Sequence, residues 1–144
     1  MLYSRPCEYA IRAAAYLARQ PQDQLIPVNQ IARAEAIPAP FLSRILYRLA
    51  QEGLLSSRTG PGGGFQLARP AQNVCLQDIV AVVDGLDGLK QCAVGLARCS
   101  DEMPCPLHDM WKDLRQKISG YLEAISLADM AHAVERKREL IGKR

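Results

Sequence analysis

At 144 residues, with 49% hydrophobic and 23% charged side chains, the chain suits one globular domain, or a small domain with a dimerising extension, and its composition excludes wholesale disorder. No apolar run approaches the roughly 20 residues of a membrane-crossing helix, and the opening Met-Leu-Tyr-Ser-Arg-Pro lacks the apolar stretch of a signal peptide, so a cytoplasmic protein is expected. The net charge of +3 is uneven: residues 1–70 hold eight arginines and no lysine against four acids, which directs any polyanion-binding surface to that half.

In chain order, Ile11, Ala14, Ala15, Leu17 and Ala18 recur at helical spacing and predict a first helix over residues 3–19. Pro27 opens a short second helix, with Val28, Ile31 and Ala32 on its apolar face and an end near Glu35. The segment Ala36-Ile-Pro-Ala-Pro40 forces a turn. Phe41, Leu42, Ile45, Leu46, Leu49 and Ala50 then form the apolar stripe of a third helix that stops at Gly53. Short helix, turn, longer helix is a helix-turn-helix pattern. With the stripe turned inward, Pro40, Ser43, Arg44 and Arg48 are left on the outer face, and Arg44 is the leading candidate for a contact with base edges in a major groove.

Two short strands, Leu54–Arg58 and Phe65–Ala68, flank a glycine-rich connection that begins Thr59-Gly60. No Gly-Lys-Ser/Thr follows and no helix opens after it, so a phosphate-binding loop is set aside. A hairpin directly after a helix-turn-helix is a wing, with Arg58, Thr59 and Gly60 placed to approach a DNA backbone or minor groove. Leu76, Ile79, Val80 and Val83 predict a fourth helix ending at Gly85. Further on, Leu107, Trp111, Leu114, Ile118, Tyr121 and Ile125 alternate spacings of four and three, the seam of a dimerising helix. Ser126 and Asp129 read as a capping box for a last helix over residues 127–140, followed by a basic tail.

Between the fourth and fifth helices lies the densest chemistry in the chain. Cys92, Cys99, Cys105 and His108 fall within seventeen residues, separated by six, five and two others, in a stretch that Gly95, Pro104 and Pro106 keep irregular. In a reducing compartment clustered cysteines indicate metal or redox chemistry. Thiolates serve both iron–sulfur clusters and zinc, but structural zinc favours ligand pairs two to four residues apart, and the wider gaps favour an iron–sulfur centre. A zinc ion, or thiols without any cofactor, are the competing readings. Cys7 and Cys75, on apolar helix faces, are expected to be buried structural thiols. His132 is expected at the surface.

The helix-one segment Cys7-Glu-Tyr-Ala-Ile-Arg12, the third-helix segments Phe41–Leu46 and Leu49–Leu54, the wing Gly60-Pro-Gly-Gly-Gly-Phe65 and the three-cysteine loop together resemble the Rrf2 family of bacterial winged-helix transcription regulators, over nearly the whole chain. The resemblance implies a mainly α protein: a winged helix-turn-helix domain with a two-stranded wing at 1–88, a cluster-binding loop at 89–106, and a dimerisation helix with a C-terminal helix at 107–144. It implies a homodimer on a palindromic double-stranded DNA operator, most simply a repressor and not an enzyme. The centre would be a 2Fe-2S or 4Fe-4S cluster on Cys92, Cys99 and Cys105, reporting iron or cluster status, redox state or nitric oxide. For the fourth ligand, His108 matches the iron–sulfur-regulator type and Glu8 matches a carboxylate of the nitric-oxide-sensor type. The alternative is a cluster-free repressor governed by a thiol switch, by zinc, or by a metabolic protein or small molecule. Two positions depart from the family pattern: Thr59 separates Arg58 from the wing glycine, and the first cysteine gap is six residues long.

Overall fold

Six helices and one hairpin share a single apolar core in the computed structural model, which describes residues 2–96 and 99–142. The helices are α1 (Arg5–Ala18), α2 (Val28–Glu35), α3 (Ala39–Gln51), α4 (Leu76–Val83), α5 (His108–Ala124) and α6 (Leu127–Gly142); β1 (Leu55–Arg58) and β2 (Gly64–Leu67) form the wing. The end of the basic tail, Lys143 and Arg144, lies outside the described residues. Among the described residues no helix is long and apolar enough to cross a membrane.

Helix α1 is the hub, and its composition explains why. Ser4 caps it by accepting a hydrogen bond from the Cys7 N–H at 3.2 Å, and the buried Ala10, Ala13, Ala14 and Ala15 are small enough for α2, α3, α4 and α6 all to pack closely around it. Cys7 is fully buried there, as expected. The Ser4 N–H also donates to the Asp84 carboxylate at 2.7 Å, tying the start of α1 to the end of α4.

The helix-turn-helix is α2, a turn and α3. Ala36 makes the sharp turn in the left-handed region (φ 52°), and the Ile37 N–H donates back to the Ala32 carbonyl at 2.9 Å. Behind α3 the wing strands pair antiparallel, with Leu55 opposite Leu67 and Arg58 opposite Gly64. A further bridge, unanticipated from the sequence, joins Ile26 to Phe65 through two backbone hydrogen bonds of 2.8 and 2.9 Å, so the wing is anchored just before α2. That close approach demands glycine at 64, where a Cβ would overlap the Ile26 carbonyl.

The C-terminal helices are part of the same core as the winged domain. Leu122 of α5 and Leu127 and Ala131 of α6 are buried in it, and the α4 start is stitched to the α5–α6 junction by Leu76 N–H to Ile125 carbonyl (2.9 Å) and Leu127 N–H to Val74 carbonyl (2.7 Å). The Ser126–Asp129 capping box forms, with the Asp129 N–H donating to the Ser126 hydroxyl at 3.1 Å and the Ser126 N–H to the Asp129 carboxylate at 3.1 Å. Cys75 departs from the sequence reading. It is half-buried at the N-cap of α4, with its N–H donating to Asp78 Oδ2 at 2.9 Å, because the helix begins one residue later than an apolar-face position would require.

A buried ion cluster fastens α6 to the helix-turn-helix. Glu35, at the end of α2, is 1% exposed and meets Arg12 Nε (3.3 Å) and Arg19 (3.5 Å) of the α1 region and Arg138 of α6. A carboxylate is buried only when paired, and three guanidinium groups supply that pairing.

Candidate DNA interface and cysteine loop

The face of α3 is arranged as its pattern predicts. Leu42, Ile45, Leu46 and Leu49 are buried; Pro40, Arg44, Tyr47 and Arg48 are exposed, and Ser43 is half-buried. The two arginines differ in their engagements. Arg48 Nη1 donates to the Val83 carbonyl at 3.2 Å, covering the C-terminal end of α4, whereas Arg44 has no hydrogen-bond or ion-pair partner among the described residues. Tyr47 meets Phe65 edge-on at 5.3 Å, setting the wing's orientation against α3, and Phe41 meets Tyr9 at 5.8 Å.

At the wing tip, Arg58, Thr59 and Gly60 are all exposed. Gly60 has φ 86°, the Gly63 N–H donates to the Gly60 carbonyl at 3.0 Å, and a Cβ on Gly63 would overlap the Arg58 carbonyl. Arg58 Nη2 lies 3.4 Å from the Gly62 carbonyl, an arrangement that keeps its side chain over the turn. Arg44 and the wing tip therefore present exposed cationic groups and an uncrowded backbone, which is what a phosphate-and-groove surface requires.

The cysteine loop leaves α4 at Gly85 (φ 75°) and passes through a short 3-10 turn at Asp87–Lys90; its described residues from 91 to 96 and from 99 to 107 form no helix or strand. Its first ligand candidate, Cys92, is buried. The Val94 N–H directed at its sulfur lowers the thiol pKa below the ordinary value; burial opposes this, and the Leu96 N–H and the Cys105 side chain add to the lowering. Gly95, with φ 78° and its N–H on the Cys92 carbonyl at 3.0 Å, makes the tight turn that brings those amides round the sulfur. Trp111 Nε1 donates to the Gln91 carbonyl at 2.8 Å and so anchors the loop to α5.

The second half of the loop converges on His108, the first residue of α5 and only 4% exposed. Its Nδ1 lies 3.2 Å from Cys99 Sγ, its Nε2 lies 2.8 Å from Asp101 Oδ1, and its backbone N–H donates to the Cys105 carbonyl at 2.9 Å. Lys112 Nζ donates to both Asp101 oxygens at 2.8 and 2.9 Å. Hydrogen bonding from Lys112, then from His108, holds the Asp101 carboxyl down to about 2.

Of the four candidate ligands, Cys99 and His108 stand within contact distance of each other, and His108 is joined to Cys105 through its backbone N–H. Among the described residues no three His, Cys, Asp or Glu side chains are closed into a metal-binding group. The donor chemistry nonetheless fits a thiolate-ligated centre, since backbone N–H groups aimed at a sulfur favour its ionised form and stabilise cluster sulfurs alike. Glu8 sits on α1, where its charge helps to raise the pKa of Cys7 and of Tyr3, and it makes no hydrogen bond or ion pair to the loop among the described residues.

The α5 stripe divides. Ile118 and Ile125 pack against the core beside the buried Leu122, and Trp111 is half-buried, while Leu107, Leu114 and Tyr121 remain 48%, 49% and 44% exposed. Met110, Met103, Val94 and Leu96 add exposed apolar surface that the heptad spacing did not reveal. Asp101 and Lys112 also escaped the sequence reading, because an exposed acid and an exposed lysine on a polar stretch carry no signal of a partner eleven residues away.

Known proteins bear on both surfaces. Residues 3–133 match the family described as Rrf2, iron-dependent transcriptional regulator. The HTH-type transcriptional regulator IscR of Photobacterium profundum is 33% identical over 122 residues, 85% of this chain and 70% of that protein. Among solved structures, T. potens IscR matches with a TM-score of 0.74 at 24% identity, covering 93% of this chain and 88% of that one. CymR, the global cysteine regulator of B. subtilis, matches with a TM-score of 0.74 at 19% identity over 90% and 95% of the two chains. The two structural matches establish a shared fold. The chain belongs to the Rrf2 family of winged-helix, DNA-binding transcriptional regulators, and it is not an enzyme.

Proposed function

We propose that this chain is a cytoplasmic homodimeric repressor that binds a palindromic operator through α3 and the wing, and that its operator affinity is set by an iron–sulfur centre held by Cys92, Cys99 and Cys105 with His108 as fourth ligand. The observation that carries this reading is the loop itself: three thiols and a buried imidazole on one short segment, with Cys99 Sγ 3.2 Å from His108 Nδ1. The likeness to IscR regulators, at 33% identity over most of the chain, supports the same conclusion.

When bound, such a centre, 2Fe-2S or 4Fe-4S, supplies an oxidisable and exchangeable group, and a non-cysteine ligand makes it easier to lose. The protein's own residues link that loop to DNA. Trp111 ties the loop to α5, Leu122 seats α5 on the core beside α4, and Arg48 joins the end of α4 to α3, so a change in the loop reaches the recognition helix through packed elements. The exposed edge of α5, with Leu107, Leu114 and Tyr121, provides the dimer face that sets two recognition helices about one DNA turn apart.

A second reading has its own support. The Cys105 side chain is among the groups that lower the Cys92 thiol pKa, and the fold also matches an oxidised form of Staphylococcus aureus CymR, with a TM-score of 0.71 at 22% identity. In that reading the loop is a thiol switch. The discriminating experiment measures operator affinity of anaerobically purified protein before and after removal of iron by a chelator, alongside Cys99→Ser. The cluster reading expects the two losses to change affinity in the same direction and degree; affinity that ignores iron but follows thiol oxidation establishes the switch instead.

A further inference from the structure

The geometry around His108 specifies which of its nitrogens faces the centre. A carboxylate accepts hydrogen bonds, so at 2.8 Å from Asp101 Oδ1 it is Nε2 that carries the proton. Nδ1, 3.2 Å from Cys99 Sγ, is left with its lone pair on the side of the candidate ligands. Asp101 is in turn held by Lys112, four residues beyond His108 on α5, through both carboxylate oxygens. Burial of the ring and its contacts to Asp101 and Cys99 at opposite nitrogens leave little freedom for a flip.

We infer that Asp101, held by Lys112, is the positioning residue that fixes His108 as an Nδ1 donor beside Cys99. The inference rests on the cluster reading above and adds the ring nitrogen, the carboxylate that orients it and the lysine that holds the carboxylate. Histidines that bind metals generally donate their other ring N–H to a carboxylate or carbonyl, and loss of that partner typically costs roughly 10- to 100-fold in metal affinity. Asp101 itself is 71% exposed, so its replacement leaves the core untouched.

The test has two parts on the full chain. In metal-free protein labelled with nitrogen-15 histidine, long-range proton–nitrogen correlation reads the tautomer directly, with His132 the only other histidine to assign. The Nε2–H form is expected for His108, and an Nδ1–H form overturns the inference. In protein reconstituted anaerobically with iron and sulfide, pulsed electron paramagnetic resonance of the reduced state reports a bound imidazole nitrogen, and competition with a chelator reports retention. Asp101→Ala should alter the nitrogen coupling and weaken iron retention roughly tenfold or more. Asp101→Asn, which keeps an acceptor oxygen, should recover part of both, and Lys112→Met should fall between wild type and Asp101→Ala. A wild-type cluster whose nitrogen coupling and retention are unchanged in Asp101→Ala overturns the positioning role alone. Wild-type protein that takes up no iron or sulfide overturns the cluster reading and the ligand role with it, while the tautomer result still decides the Asp101 contact.

Discussion

Glu35→Gln is the perturbation that probes the fold most sharply, because it removes a buried charge while keeping the side chain's volume. The carboxylate is fully inaccessible and meets three guanidinium groups that are 38%, 21% and 42% exposed. Hydrogen bonds to charged groups contribute about 1.5–3 kcal/mol each. Arg12 and Arg138 form the two direct ones to the side chain, and Oε1 has no hydrogen-bond partner, with Arg19 only an ion pair at 3.5 Å. The arginines can turn to water when the charge is gone, so the lower figure applies to each bond, and the loss comes to about 3 kcal/mol. At roughly 2–4 °C per kcal/mol, the midpoint of thermal unfolding should fall by about 6–12 °C. Urea unfolding followed by Trp111 fluorescence and far-ultraviolet circular dichroism, at fixed protomer concentration, measures it. A double-mutant cycle with Arg138→Ala should give a coupling of at least about 1 kcal/mol. A loss within about 0.5 kcal/mol, or no coupling, would refute the claim that this cluster fastens α6 to α1 and α2.

Three further outcomes are expected. Arg44→Ala should weaken operator binding by about 1–3 kcal/mol for each base contact it makes, measured by fluorescence anisotropy across a salt series. Leu122→Ala should destabilise the protomer by about 2–5 kcal/mol, whereas Leu114→Ala, at 49% exposure, should leave protomer stability near wild type and weaken self-association in analytical ultracentrifugation. Burial, with the charges of Asp84 and Glu8, pushes the Cys7 thiol from 9.0 up to about 12, and burial with the Tyr121 hydrogen bond pushes Tyr3 from 10.0 up to about 12. Both groups hold their protons longer when folded, so their contributions to stability are fully present below pH 9 and are lost as pH rises toward 12. Cys7→Ala should flatten that alkaline decline, and an unchanged slope would show that Cys7 does not contribute.

The parts of this molecule that local rules govern were readable in the chain. Helical spacing located α1 to α4, Ser126 and Asp129 marked the start of α6, and the glycines at 60, 63 and 64 announced a wing whose crowded backbone does exclude side chains at 63 and 64. What stayed hidden depends on residues far apart in sequence. Glu35 looks like an ordinary polar helix end until Arg12 and Arg138, 23 and 103 residues away, are folded onto it. Leu122 lies off the heptad stripe, and only the packing of α5 on the core shows that it, and not Leu114, is the buried leucine. Arg48 matched Arg44 as a groove contact by spacing alone, yet its bond to Val83 comes from the α3–α4 packing. At the loop, spacing identified the ligand candidates; the pairing of Cys99 with His108 and the Asp101–Lys112 support follow from where α5 begins.

The most direct measurement is the iron, sulfide and zinc content of the protein purified without oxygen, together with its visible absorption spectrum. The proposed centre predicts coloured protein with iron and acid-labile sulfide in matching amounts, both lost together in Cys92→Ser, Cys99→Ser and Cys105→Ser. Colourless protein with no iron or sulfide, under conditions that preserve it as a folded dimer, would contradict it.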